Sequence, residues 1–350
     1  MSPARRTAFD VLLKTHQGGY SSDLLLAQSV ALDTRDAGLA SEIVFGCLRF
    51  QTQIDHLIDR LCRGSRLDIE VRVALRMGVY QLRYLDRVPA HAAVDESVEL
   101  IKRARKRSAA GLVNAILRKI DRKPVAWPDR ATELSCPEWL LESWERQFGE
   151  RCAEVIAHAA LQPAQSFTAS TGRTQDIGAQ GIVPLLEIQP GDTFLDLCAA
   201  PGNKTAQALA LGARAVACDL YGKRLQSLGD LECARVVLDA THPLPFHAKF
   251  DRILVDAPCS GTGTLGRNPE IKWRLQPMDL AVFHERQTAI LKNALEHLAP
   301  GGRLVYATCS LEDEENEQVI RRFPLEWRIW RNIPGVDEGD GFFAAVLQSG

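Results

Sequence analysis

Two cysteines stand where a thiol could act as a nucleophile. One lies in Asp256-Ala-Pro-Cys-Ser-Gly261 and the other in Ala307-Thr-Cys-Ser310, fifty residues further on. Each follows an apolar run of strand character, Arg252–Val255 and Arg303–Tyr306, so each is expected at the end of a β-strand. Strand ends give a thiol the partial exposure that reactivity requires. One chemistry that needs such thiols is methylation of a pyrimidine carbon. Carbon 5 of cytosine is a poor nucleophile, but a thiolate adding at carbon 6 converts the ring into an enamine whose carbon 5 can attack a methyl sulfonium. The adduct must then lose its carbon 5 proton and expel the thiol, and a second group helps that release. Asp256 could hydrogen-bond or protonate the ring nitrogen as charge develops. Neighbouring strands lie about 4.8 Å apart, so Cys259 and Cys309 could face one base if their strands are adjacent. Spacing alone leaves open which cysteine is the nucleophile. Methyltransferases of exocyclic amines tend to place Asp/Asn-Pro-Pro-Tyr/Phe at this strand end, and Ala257-Pro258-Cys259 supplies no aromatic ring.

The elements that must position these groups are legible from about Asp192 onward. Thr193–Leu197, Ala213–Cys218, Arg235–Leu238, Arg252–Val255 and Arg303–Tyr306 read as strands, and segments near 204–212, 222–231, 279–298 and 313–323 read as helices. That alternation predicts a doubly wound, mainly parallel sheet. The first strand runs into Asp196-Leu-Cys-Ala-Ala-Pro-Gly-Asn-Lys-Thr205, a small-residue turn at a helix start where a ligand can approach the backbone. It has neither the Gly-x-Gly-x-x-Gly fingerprint nor P-loop spacing, so a phosphate cradle is not required. Asp219 ends the second strand, where a carboxylate can take both hydroxyls of a ribose, and Asp239 ends the third, within reach of a base edge. With Asp256, three carboxylates line the edge where such sheets bind ligands. A nucleoside-containing cofactor without an essential phosphate fits, and S-adenosyl-L-methionine is the expected one.

The N-terminal part has a different texture. Leu39, Ile43, Val44, Cys47 and Leu48, then Ile54, Leu57, Ile58 and Leu61, then Val94, Val98 and Ile101 recur at helical spacing, which predicts an all-α bundle. Pro124, Pro128 and Pro137 mark a linker, and Glu138–Ala160 reads as further helix. Residues 1–123 carry 21 Lys+Arg against 14 Asp+Glu, whereas 124–350 carry 21 against 30. The basic half suggests a polyanion partner, with Lys102, Arg103, Arg105, Lys106 and Arg107 as its densest cluster. Nine scattered cysteines with no Cys-x-x-Cys pair argue against disulfides and structural zinc. No apolar stretch reaches the roughly 18–20 residues of a membrane span, so a cytoplasmic protein without membrane contact is expected.

These motifs resemble the RsmB family of bacterial ribosomal RNA cytosine-C5 methyltransferases. The resemblance is carried by Leu195–Thr205, Asp256–Gly261, Arg267-Asn-Pro-Glu-Ile-Lys-Trp273, Ala307–Ser310 and Asp340-Gly-Phe-Phe343. The N-terminal half resembles the family's NusB-like RNA-binding domain, notably at Val88–Val98 and Gly111–Arg118. The implied fold class is α/β, a Rossmann-like class I methyltransferase sheet preceded by an all-α NusB-like helical domain. The expected segments are 1–125 (NusB-like), 126–175 (linker and helices with a shortened RNA-binding subdomain) and 176–350 (methyltransferase). The resemblance implies that Cys309 is the nucleophile, that Cys259 assists release, and that Cys198, Ala199, Ala200, Pro201, Gly202, Asn203, Lys204, Asp219, Asp239 and Asp256 contact S-adenosyl-L-methionine. Arg267 and Lys272 are expected contacts to the target strand.

The chain also departs from the family. Members usually carry a small α/β subdomain before the first methyltransferase strand, and several dozen residues are missing from the short stretch around Leu161–Gln175. Asn203 stands for a second glycine of the cofactor loop, and Ala345-Val346 stand where a basic residue is common. The expected activity is methyl transfer to carbon 5 of a cytidine in small-subunit (16S) ribosomal RNA by a monomer. The alternatives are another RNA, such as transfer RNA, a protein acceptor, or a catalytically silent RNA-binding protein.

Overall fold

Helical periodicity in the N-terminal part is realised as the helices Pro3–His16, Thr34–Arg49, Gln51–Cys62, Ile69–Tyr84, Ala90–Arg103 and Ala110–Leu117. The structure is a computed structural model that describes residues 2–62, 66–165 and 167–350. Asp33 caps one helix by accepting the Asp36 N–H at 2.7 Å, satisfying one of its orphan donors. Ile43, Val44, Cys47, Ile54, Ile58, Val94 and Ile101 are buried in one core, with Leu39, Leu57, Leu61 and Val98 packed against it. Gly46 permits the closest approach in this core, because a Cβ there would lie 1.8 Å from the Tyr80 ring.

The chain divides into two compact units. The first comprises Met1–Glu142, Ala160–Gln162 and Gly266–Arg274, and the second Ser143–Ala159, Pro163–Leu265 and Leu275–Gly350. The sequence segments contain no counterpart to the placement of Gly266–Arg274 with the helices. Polar and apolar contacts hold it there: Glu270 accepts from Ser21 N and Oγ, both at 2.8 Å, and Trp273 packs against the helical core while its Nε1 donates to Leu48 O at 2.7 Å.

The second unit is built on one sheet. Its strands are β1 (Thr193–Asp196), β2 (Arg214–Asp219), β3 (Ala234–Val237), β4 (Phe250–Asp256), β5 (Leu298–Thr308), β6 (Arg328–Asn332) and β7 (Phe342–Gln348). Their order is β3-β2-β1-β4-β5-β7-β6. Pairing is parallel through β5, and β7 is antiparallel to both β5 and β6. Successive residues point to opposite faces: Ile253, Leu304 and Tyr306 enter one core, and Leu254, Val305 and Ala307 the other. The five expected strands are all present, whereas β6 and β7 were not foreseen. Helices Asn203–Ala210 and Asp279–Leu295 match expectation. The expected helices at 222–231 and 313–323 are short turns, Gly222–Leu225 with Gln226–Leu228, and Asp313–Glu315 with Glu317–Ile320.

Between Ala160 and β1 the described residues form only the bridge Thr168–Thr174 and two short helical turns, Ile177–Gln180 and Val183–Leu186. Ala345 and Val346 are both buried in β7, on opposite faces of the sheet. Neither position has room for an exposed cation. Among the described residues, no helix is long and apolar enough to cross a membrane.

Candidate active site

Strands β1, β2 and β4 end on Asp196, Asp219 and Asp256, and Asp239 follows β3 by two residues. All four therefore lie at the C-terminal edge of the parallel sheet, where ligands of such folds bind. From β1 the chain turns through Cys198–Gly202 into the helix Asn203–Ala210. Gly202 makes the turn with φ +99, and a Cβ there would meet Leu228 Cγ at 2.8 Å. Only glycine suits that position. Asn203 is the first helical residue and its side chain donates to Thr174 O at 3.1 Å, so the turn's left-handed conformation does not fall on it.

Asp219 is buried. Its Oδ1 accepts the Tyr221 N–H at 3.0 Å, and Arg224 approaches at 3.4 Å while also donating to Ala200 O at 3.3 Å. Asp239 is more open and is held low by the Thr241 hydroxyl and amide, both of which donate to Oδ1. Leu220, Tyr221 and Val237 are exposed beside these carboxylates and offer an apolar surface to a base. Sequence reading missed Asp196 as a site residue, although its place at the end of β1, in phase with Asp219 and Asp256, is a usable signal. It is buried, its Oδ2 accepts from Thr205 Oγ1 at 2.7 Å, and Oδ1 has no well-formed hydrogen bond, the Cys198 amide lending it only a weak one. Burial pushes this carboxyl up to about 7, with Thr205 pulling the other way and Asp256 adding to the rise. An under-satisfied buried acceptor, a loop with no room for a side chain at Gly202 and the Asp219 carboxylate together fit a nucleoside cofactor bearing a polar amino-acid tail.

The thiols meet because β4 and β5 are hydrogen-bonded neighbours with Asp256 opposite Ala307. Ala257 N–H donates to Ala307 O at 2.8 Å and Gly263 N–H to Cys309 O at 2.9 Å, which joins the two strand-end loops. Cys259 Sγ and Cys309 Sγ lie 3.3 Å apart. Their surroundings differ in sign. Lys204 Nζ donates to Asp256 Oδ2 at 2.6 Å. Burial opposes the Lys204 charge, but Asp256, the Cys309 sulfur and Asp196 outweigh it and hold the ammonium protonated. The Cys259 thiol is pushed well up by its hydrogen bond to Cys309, by burial, by the charge of the Cys309 sulfur and by Glu315. The pair thus holds Cys259 as a protonated thiol while the Lys204 ammonium interacts with the Cys309 sulfur, an arrangement that suits one nucleophile and one proton carrier.

The expected RNA contacts divide. Lys102, Arg103, Arg105 and Arg107 are exposed and Lys106 half-exposed in the helical unit. Lys102 pairs with Glu99 at 2.6 Å, Arg103 with Asp10 at 3.0 Å and Lys106 with Asp68 at 2.7 Å. Lys272 corrects the sequence reading: it is 1% exposed, and its ammonium donates to Arg49 O at 3.0 Å and Ser135 O at 2.7 Å. A side chain buried to this depth and tied to two internal carbonyls is not accessible to a phosphate. Arg267 lies in the same Gly266–Arg274 segment. The described residues contain no cluster of three or more His, Cys, Asp or Glu that could hold a metal ion, and none of the nine cysteines is in a disulfide.

Comparison with known proteins is consistent from end to end. Residues 183–331 match the family described as 16S rRNA methyltransferase RsmB/F, and residues 2–122 match the NusB family. Ribosomal RNA small subunit methyltransferase B of Thermus thermophilus is 36% identical, over 91% of this chain and 86% of that protein. The protein of the same name from Klebsiella pneumoniae is 30% identical over 95% of this chain and 94% of its own length. That alignment spans 407 positions against a chain of 350, so the relative carries internal residues with no counterpart here. The crystal structure of PH0851 superposes with a TM-score of 0.80 at 21% identity, covering 100% of this chain and 99% of that one, a likeness of fold. The cofactor is S-adenosylmethionine. On these matches the chain belongs to the RsmB/F family of 16S rRNA methyltransferases.

Proposed function

We propose that this protein transfers a methyl group to carbon 5 of a cytidine in small-subunit ribosomal RNA through a covalent adduct with Cys309. The observation that carries the reading is the pair of sulfurs 3.3 Å apart, with Lys204 and Asp256 paired at the same strand ends. The Cys309 sulfur bonds to carbon 6 while its thiol proton passes by way of Asp256, held by Lys204, to the ring nitrogen that gains electron density. Bound S-adenosylmethionine supplies the electrophilic methyl group. Cys259 then relays the carbon 5 proton, passing its own S–H proton to the departing Cys309 sulfur as it takes that proton, while the electrons of the C–H bond restore the ring double bond, the C–S bond to Cys309 breaks and the ring nitrogen returns its proton through Asp256. The cofactor is held by the loop Cys198–Lys204 with Asp219, Asp239 and Asp256. The target base must leave its stack, because a thiol cannot reach carbon 6 inside an intact helix.

The division of labour we propose assigns RNA binding to residues 1–125, with Lys102–Arg107 and Arg267 on the RNA, a linker role to 126–175 and methyl transfer to 176–350. The protein works in the cytoplasm as a monomer. The names of the relatives support ribosomal RNA over other acceptors. The test is label transfer from methyl-labelled cofactor to separated small-subunit RNA, transfer RNA and protein, followed by nucleoside analysis. Label in 5-methylcytidine of the small-subunit RNA is expected; label confined to transfer RNA or protein, or none, contradicts the reading.

A further inference from the structure

Cys259 and Cys309 lie on separate loops fifty residues apart in sequence, yet their sulfurs are held 3.3 Å from one another. The residue after each thiol is a serine, and both serines end on one carboxylate. Glu315 Oε1 accepts the Ser260 backbone N–H at 2.8 Å and Gln287 Nε2 at 3.0 Å. Its Oε2 accepts the Ser260 hydroxyl and, at 2.5 Å, the Ser310 hydroxyl. Glu315 is itself fixed, since Tyr306 OH donates to its carbonyl at 2.5 Å and the neighbouring Asn316 ties Thr308 and Ser310 O at 2.6 and 2.9 Å. The carboxylate is fully buried, and four donors occupy its two oxygens. A buried carboxylate is tolerated only when it is satisfied in this way.

We propose that Glu315 is a positioning residue that indexes the two thiols to each other, Cys259 through Ser260 and Cys309 through Ser310, at the spacing that addition and release require. The inference rests on the covalent reading for its function, while the spacing itself is independent of it. A misplacement of about 1 Å in reacting groups costs on the order of 10²-fold in rate, so loosening the tether acts on chemistry and leaves cofactor affinity alone.

The test compares Glu315→Ala, Glu315→Gln, Ser260→Ala and Ser310→Ala with wild type in two assays. The first is the rate at which diamide oxidises the Cys259–Cys309 pair to a cystine, read by peptide mass spectrometry without RNA. The second is the single-turnover rate of adduct formation on RNA containing 5-fluorocytidine, with cofactor affinity measured by calorimetry. Glu315→Ala is expected to slow both reactions about 10²-fold with unchanged cofactor affinity, and each serine variant to slow them roughly tenfold. Glu315→Gln keeps an acceptor for the Ser260 N–H and a donor that the rotatable serine hydroxyls can accept, so it is expected to restore both rates to the wild-type order of magnitude. If Glu315→Ala does not fold, the serine variants decide. Wild-type rates in the alanine variants, or a Gln variant as slow as the Ala variant, overturn the proposal. A wild type that forms the cystine but no RNA adduct contradicts the covalent reading alone, and the cystine rates still decide the clamp.

Discussion

Cys259 and Cys309 are identical side chains given different work by their neighbours. Cys259 is held protonated by its sulfur partner, burial and the Glu315 charge, whereas the Lys204 ammonium interacts with the Cys309 sulfur. Limited iodoacetamide treatment near pH 7.5 should therefore label Cys309 before Cys259, as read by peptide mass spectrometry; the reverse order contradicts the assignment of roles. Lys204→Met removes the cation that orients Asp256 at 2.6 Å, and single-turnover methyl transfer should slow by about 10²-fold, the scale of one lost electrostatic contact at a reacting centre. The sequence made both thiols and Asp256 visible because reactive residue types sat at recognisable strand ends. Glu315 stayed hidden because it lies in an acidic run, Glu312-Asp-Glu-Glu-Asn316, at the start of a segment that reads as helix, and only the fold turns two of its carboxylates inward.

At the scale of elements, the loop after β1 makes the most exposed prediction. Gly202→Ala introduces a side chain at φ +99 and 2.8 Å from Leu228, so S-adenosylmethionine affinity should fall by roughly tenfold or more, measured by calorimetry. The same change at Asn203 should weaken affinity less, since that residue is already helical and loses only its side-chain bond to Thr174 O. Strands β1–β5 were legible because short apolar runs alternate with helical segments. β7 was not, because Phe342–Leu347 is buried on both faces and so lacks a period of two. β6 was masked by arginines that suit an edge strand. Asp340-Gly-Phe-Phe343 stands out as a motif, but nothing local marks it as the start of a strand.

Across the whole molecule, buried ionisable groups set the pH response. Glu312 accepts from Ser143 Oγ at 2.7 Å and Trp144 Nε1 at 2.9 Å; burial raises it to about 7 from 4.5, against the pull of those donors. Asp196 rises to about 7 from 3.8. Between the unfolded and folded values the native state binds more protons than the unfolded chain, so these groups make stability fall as pH rises from about 4 through about 7. Calorimetry at pH 5 and pH 8 should show Glu312→Gln gaining on wild type at the higher pH; a constant difference contradicts the burial argument. Lys272 yields a different whole-molecule prediction, because its ammonium satisfies two carbonyls inside the helical unit. Lys272→Met should destabilise the fold by about 1–3 kcal/mol and leave the salt dependence of RNA binding unchanged. Replacing Arg105 and Arg107 by alanine should instead flatten that slope by about 1–2. The charge asymmetry of the chain was readable from composition, but which cations face inward was not, since a tether and a phosphate contact have the same side chain.

The most direct measurement is the covalent trap. RNA carrying 5-fluorocytidine is incubated with S-adenosylmethionine and wild type, Cys309→Ala or Cys259→Ala, and the linked peptide is sequenced by mass spectrometry. Fluorine at carbon 5 cannot leave as a proton, so wild type should remain bonded to the ring through Cys309, Cys309→Ala should give no adduct, and Cys259→Ala should stay attached even to unmodified RNA. An adduct on Cys259, or full methyl transfer by Cys309→Ala, would contradict the account.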